Sequence, residues 1–290
     1  LKPIHPSWSP IQDRWDSLLE NPPGLVCLDF DNSFIRGDFG EKVMEFLLEN
    51  SYPKLWQGES LPYQELFRDP SLAQTIHLQR SGVEWKEYVL KEYLHIHDTK
   101  GLGESYRWSS FIFSGWEENL FRDMARKLWL ENLDRYKENP AFHRSHPSPI
   151  GNAVHPREPL LDLVYNFQKK NWEILIITAS PTWAIQETTA ELGLEKSSVL
   201  GMNLLQKPNS KNPSQMITTP EIIEPYPYGE GKVQAIFNRT GKSADIAFGD
   251  TINDYPMLIS SSQFAVLFNR NNLELNEACK KAGIHIHDWI

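Results

Sequence analysis

Asp29 and Asp31 stand one residue apart at the end of an apolar run, Leu25-Val26-Cys27-Leu28, and are followed by Asn32 and Ser33. Two carboxylates at the rim of a core repel each other and resist desolvation. A cation or a shared proton settles them, so the pair points to a hard metal ion or an acid/base couple. An Asp/Asn turn after a strand explains the same residues without chemistry. A second apolar run, residues 172–178, ends in the hydroxyl of Thr178; a third, residues 245–248, runs into Gly249-Asp250-Thr251-Ile252-Asn253-Asp254. Gly231-Lys232 lies between these two runs. Taken singly, Thr178 is an ordinary β-branched residue at a strand end and Lys232 an ordinary solvated first-turn lysine. Taken together, several carboxylates, a hydroxyl and one lysine describe a magnesium site facing a phosphoryl group. Oxygen ligands hold the cation, while lysine and hydroxyl orient the phosphate oxygens.

These side chains meet only if the chain folds so that the runs lie side by side. Short apolar runs without helical period read as buried strands of a parallel sheet. The carboxyl ends of such strands share one edge, where open α/β sheets bind ligands. The connecting segments read as helices: one with Leu160, Val164 and Phe167; one opened by Ser180-Pro181 as N-cap and first-turn pair, reaching Leu192 and stopped by Gly193; and one opened by Gly231-Lys232, carrying Val233, Ile236 and Phe237 and closed by Gly241. Further strands are predicted over 199–205, 215–223 and 264–267, the second as half of a hairpin, before a final helix with Leu273 and Ala278. Upstream, Ile11, Trp15, Leu18 and Leu19 are spaced as a lead-in helix. Residues 38–50 form a helix with Val43, Phe46 and Leu47 on one face and Glu41 and Glu45 on others.

From there to about residue 154 the pattern is helical and rich in aromatics, including Trp56, Phe67, Trp85, Tyr88, Tyr93, Trp108, Phe111, Phe113 and Trp116. A helix beginning near Trp116 repeats Leu120, Met124 and Leu128 at four-residue spacing. This block reads as a helical domain inserted into an α/β one, with residues 143–156 as the return linker. The expected division is a core of residues 1–40 and 155–290 and an inserted domain of residues 41–154.

With 290 residues and 40% apolar composition, the chain can bury a substantial core. A net charge of −9 without clustered Lys and Arg argues against a nucleic-acid binder. No apolar run is long enough to span a bilayer. The chain starts at Leu1 without a Met, so it reads as a processed or trimmed product, and a cytoplasmic location or export after removal of an N-terminal signal are equally compatible with it. Cys27 and Cys279 give no disulfide framework and read as small core residues.

Asp29-Phe30-Asp31-Asn32-Ser33, Thr178, Lys232 and Gly249-Asp250-Thr251-Ile252-Asn253-Asp254 resemble, in order, the four motifs of the haloacid dehalogenase superfamily. The helical block resembles that superfamily's C1 cap. Arg36-Gly37-Asp38-Phe39-Gly40-Glu41 and Thr178-Ala179-Ser180-Pro181 are similar to its phosphoserine phosphatase and phosphorylcholine phosphatase branch. The resemblance implies a Rossmann-like, three-layer α/β core with a parallel sheet, and Mg²⁺ as cofactor. It implies Asp29 as nucleophile and metal ligand, forming an aspartyl-phosphate, with Asp31 as general acid and base whose backbone carbonyl also reaches the metal. Asp250 would be a further ligand; Thr178 and Lys232 would grip the phosphoryl oxygens. Asp254 and Asn253 would stand behind the metal or orient Lys232, and Ser33 replaces a more usual Thr near the substrate. Asp31 favours phosphate over dehalogenase chemistry, because dehalogenases of the superfamily lack an acid there.

The implied substrate is a small phosphorylated metabolite. Asp38 and the aromatic surplus add a sharper expectation: an ammonium group, as in phosphocholine, phosphoethanolamine or phosphoserine, held by charge and cation–π contact. Asp38 as a plain helix N-cap, and the aromatics as plain core, are the competing readings. The pairs His95/His97, His143/His146 and His285/His287 lack partners at zinc-site spacing. A phosphotransferase, or a non-catalytic member that only binds metal and phosphate, stands as the alternative function.

Overall fold

The computed structural model describes residues 1–53, 61–138 and 154–288. Trp56, His143, His146 and most of the return linker lie outside them. Six parallel strands form the central sheet in the order β10-β9-β8-β1-β4-β5. They are β1 (Leu25–Leu28), β4 (Glu173–Pro181), β5 (Val199–Met202), β8 (Ile246–Gly249), β9 (Phe264–Phe268) and β10 (His285–His287). β1 is central, with Leu28 facing Ile176 of β4 on one side and Phe248 of β8 on the other.

Alternation along β1 sorts the core into two layers. Val26 and Leu28 join Trp8, Trp15 and Phe167, so α1 (Gln12–Glu20) and the helix Glu158–Lys169 cover one face. Leu25 and Cys27 point the other way, to Ile236, Met257, Leu275 and Cys279 on the helices Glu230–Thr240, Tyr255–Ile259 and Leu273–Lys281. Each fully buried aliphatic side chain contributes about 1.5–3 kcal/mol, which fixes both the sheet and the register of its ends.

Two short strands, β2 (Ile35–Arg36) and β3 (His155–Pro156), pair antiparallel, and the helical block leaves the core between them. It contains α2 (Phe39–Glu49), α3 (Tyr63–Leu66), α4 (Pro70–Gln79), α5 (Gly82–Lys100), α6 (Leu102–Ser109) and α7 (Glu118–Glu138). Ser81 and Glu84 cap the start of α5 reciprocally, and Gly101 ends it with φ +94°. No helix among the described residues is long and apolar enough to cross a membrane.

The structure corrects several sequence expectations. On α7 the residues beside the leucine repeat, Phe121 and Ala125, form the buried stripe with Trp129 and Asn132, while Leu120 of the repeat itself is exposed, because the stripe facing the core lies one position further along. Phe237 and Leu273, read as members of two of the core helices, lie on their exposed faces. The strand expected over 199–205 divides at Asn203: β5 stays in the parallel sheet, and β6 (Leu204–Pro208) turns away to pair antiparallel with β7 (Met216–Ile222). β10 has no counterpart in the sequence reading, since a three-residue strand leaves too short a pattern to detect.

Candidate active site

β1, β4 and β8 are adjacent, so the residues at their carboxyl ends converge. Asp29 follows β1 directly and its N–H donates to the Phe248 carbonyl of β8 at 2.9 Å. The chain then makes a tight turn through Asn32, at φ +60°, whose N–H bonds to Gly37 O at 2.8 Å. This turn carries Asp31 to the first turn of α2. Asp31 Oδ1 accepts from the Phe39 N–H at 2.7 Å, and Oδ2 accepts from Ser180 Oγ at 2.6 Å and Thr178 Oγ1 at 3.4 Å.

Lys232 Nζ lies 2.6 Å from Asp29 Oδ1, 2.5 Å from Asp254 Oδ1 and 3.1 Å from the Ile177 carbonyl. Gly231 permits that approach, because a Cβ there would stand 1.8 Å from Tyr226 O. Asp254 Oδ2 accepts from the Asp250 and Thr251 N–H groups and from Thr251 Oγ1 at 3.0–3.1 Å, which ties the loop after β8 into a ring around it. Asp250 Oδ1 accepts from Ser33 Oγ at 3.0 Å and Oδ2 from Arg270 Nη1 at 2.9 Å.

Burial pushes the carboxyls of Asp29, Asp31 and Asp250 upward. At Asp29 the charge of Asp254 adds to burial and Lys232 opposes it. Asp250, next to Asp254, is pushed up to about 6 despite Arg270 and Ser33. Burial works against the Lys232 charge, yet Asp254 and Asp29 outweigh it and hold its pKa above the usual lysine value. Among the described residues, one group of acidic or metal-ligating side chains has atoms within 4.8 Å of one another: Asp29, Asp250 and Asp254. An all-oxygen, net-negative donor set of this kind fits a hard divalent cation such as Mg²⁺. The histidine pairs at 95/97 and 285/287 belong to no such group.

A cavity of about 960 Å³ opens over the site. Asp29, Asp31, Thr178, Lys232, Asp250 and Asn253 line it, as does Asp38. Asp38 also caps α2, accepting from the Glu41 N–H at 2.7 Å, so the helix-cap reading holds at a residue that faces the cavity. Ser33 does not line the cavity. It is fully buried beneath Asp250, because the tight turn directs its hydroxyl into the core side of the site. Ser180 was expected to cap the following helix; instead β4 continues to Pro181, the helix starts at Thr182, and the hydroxyl holds Asp31.

Of the remaining wall, sequence reasoning named Tyr93, Arg36 and Glu41 without placing them in the site and missed the rest. Tyr93 and Tyr106, from α5 and α6, face the cavity with Tyr226 and Tyr228 from the segment before Lys232, and no tryptophan among the described residues lines it. Trp85 is buried, and the Trp108 indole donates to Leu66 O at 2.8 Å. Glu41, Arg36, Arg157 and Arg270 complete the polar lining. Arg270 was discoverable, since it stands just past the end of β9 at the same sheet edge; the tyrosines gave no such signal.

The haloacid dehalogenase-like hydrolase family model matches residues 72–258, well over half of the chain. No curated protein sequence matches significantly. Among solved structures, a conserved protein of unknown function from Anaerococcus prevotii superposes with TM-score 0.65 at 16% identity, covering 96% of this chain and 91% of its own. One of unknown function from Bordetella pertussis gives 0.57 at 13%, covering 92% and 99%. A HAD-family hydrolase from Salmonella enterica serovar Typhi gives 0.52 at 14%, covering 92% and 68%. At these identities the structures establish a shared fold. The chain belongs to the haloacid dehalogenase-like hydrolase family.

Proposed function

We propose that this family member is a Mg²⁺-dependent phosphomonoesterase working through an aspartyl-phosphate, with residues 1–40 and 155–290 as catalytic core and 41–154 as a cap that selects the ester. The observation that carries this reading is the Lys232–Asp29 contact beside Asp31, in a cluster of three buried carboxylates that one lysine does not neutralise. Asp29 and Asp250, with the Asp31 backbone carbonyl, would hold the cation, which supplies charge neutralisation for an incoming phosphate. Asp254, with both oxygens already bonded, acts as the organiser of Lys232 and of the loop after β8.

Asp29 presents a carboxylate oxygen to phosphorus while Lys232 screens its charge and, with Thr178, steadies the phosphoryl oxygens. The bond to the leaving oxygen breaks as the Asp29–phosphorus bond forms, and Asp31 delivers the proton that the alkoxide needs. Its raised pKa suits that role, and its bonds to Ser180 and the Phe39 N–H hold it in place. Asp31 then takes a proton from water as the acyl phosphate is hydrolysed, returning both carboxylates to their starting states.

Support for an ammonium-bearing ester comes from the facing wall. Asp38 and Glu41 stand there with four tyrosines, and burial followed by mutual repulsion among the acids raises both carboxyls. An ammonium group would relieve that repulsion and find ring faces. The test is phosphate release from phosphocholine, phosphoethanolamine, phosphoserine and glycerol phosphate, with Mg²⁺ and with EDTA. Metal-dependent release preferring the cationic esters, with that preference reduced about tenfold in Asp38→Asn, is expected. Transfer to added alcohols in place of release would favour the phosphotransferase, and an intact fold with no turnover the non-catalytic member.

A further inference from the structure

The acids and tyrosines account for one part of the cavity wall; three arginines form another. We propose that Arg36, Arg157 and Arg270 form an anion subsite, receiving a second negatively charged group of the substrate, a carboxylate or a second phosphate, apart from the phosphoryl group that reacts. The inference rests on the phosphomonoesterase reading for its substrate and on the cavity geometry for the site itself.

All three line the cavity, yet they come from separate parts of the core. Arg36 lies in β2 opposite His155 of β3. Arg157 follows β3; its N–H bonds to Phe34 O at 3.1 Å and its Nη2 to Asn32 O at 3.1 Å, so its backbone and guanidinium are both fastened to the turn that carries Asp31. Arg270 enters from the end of β9 and meets Asp250. Burial, and then the neighbouring Arg36, lower the Arg157 pKa to about 10, which marks the cations as close enough to repel. Fold stability alone favours spreading such charges apart.

Arg36 forms no ion pair among the described residues, and Asp250 is the carboxylate bonded to Arg270. A divalent cation at Asp29 and Asp250 would draw on that same carboxylate, leaving the arginines more strongly in need of an anion. None of the three has a hydrogen bond to Asp29, where Lys232 already waits for the phosphoryl group. Guanidinium forks match a carboxylate or phosphate at two oxygens. With Asp38 and Glu41 lining the same cavity, Glu41 close enough to feel the Arg270 charge, the preferred ester carries both signs on its non-reacting part, which ranks phosphocholine and phosphoethanolamine below an ester bearing an additional anion.

Calorimetric titration of the Mg²⁺-loaded protein with propylphosphonate, 3-phosphonopropionate and ethane-1,2-diphosphonate tests this without turnover. Either probe with a second anionic group should bind at least about tenfold tighter than propylphosphonate. Which one gains more tells carboxylate from phosphate. The gain should fall below about threefold in Arg36→Gln, an exposed site whose loss spares the fold, and return in part in Arg36→Lys. Equal binding of all three probes, no binding of any, or a preference that survives both Arg36→Gln and Arg157→Gln overturns the proposal. A binding preference without phosphate release from any ester overturns the phosphomonoesterase reading and leaves the subsite standing.

Discussion

Two ion clusters in this protein, one half in solvent and one buried, look alike and balance differently. On the helix Thr182–Glu191, Glu187 is met by Arg122 Nη1 at 2.9 Å and Lys196 Nζ at 2.5 Å, while Arg122 also holds Glu118 at 2.8 Å. Two cations meet two carboxylates there, and the Lys196 side chain stays half in solvent. At the sheet edge, Lys232 alone faces Asp29 and Asp254 and the half-exposed Arg270 meets Asp250, so three buried carboxylates share one buried cation and one at the solvent edge. A structural cluster closes its own charge; a site keeps an imbalance that something from outside must settle. Burying unbalanced charge costs stability, which is what the proposed function of the second cluster has to account for.

The sharpest way to break that contrast is Asp29→Asn. Phosphate release should fall by about 10⁴-fold or more, while the metal-free protein melts at a higher temperature because a buried charge is gone. Near-normal turnover in this variant would rule out covalent catalysis by Asp29. Asp31→Asn should cost about 10²–10⁴-fold with alkyl phosphates and clearly less with p-nitrophenyl phosphate, whose leaving group needs no proton. An equal loss with both esters would remove Asp31 from the acid role.

The imbalance also sets a pH signature. Asp250 titrates near 6 in the fold against an ordinary value of 3.8, so between those pH values the folded protein holds more protons than the unfolded chain. Stability therefore declines as pH rises through that window, by on the order of 3 kcal/mol for this group, and is fully restored only below it. Metal-free protein should melt higher at pH 5 than at pH 7.5, and Mg²⁺ at pH 7.5 should recover most of the difference. A metal-free melting temperature that climbs from pH 5 to 7.5 would mean that the cluster is already balanced. The smallest effect is expected from Glu187→Gln: about 1–3 kcal/mol lost in denaturant titration, with turnover per folded molecule unchanged. A drop in turnover there would erase the distinction between the two clusters.

The legible part of the molecule was its strand ends. Leu25–Leu28, the run to Thr178 and the run to Gly249 are apolar without helical period, and such segments have few alternatives to a buried parallel sheet. Once they are strands of one sheet, Asp29, Asp31, Thr178 and Asp250 fall at one edge, and Lys232 reaches them from the first turn of a helix. Residue type and spacing were enough for that, because these side chains sit within a few residues of elements whose direction the sequence announces.

The cavity wall was decided by packing. Tyr93, Tyr106, Tyr226 and Tyr228 come from two helices and one loop, and nothing in their spacing separates a ring facing the cavity from one in the core, as the burial of Trp85 illustrates. Ser180 was read as a helix cap because local propensity favours it there, whereas the register of β4 carries the strand one residue past it and directs its hydroxyl to Asp31. The three arginines, distant in sequence, share a wall only because β2 and β3 pair and β9 ends beside β8. The sequence alone determined the chemistry, since short-range patterns set strand and helix direction. Tertiary structure decided what that chemistry meets, since long-range packing sets which side chains share a space.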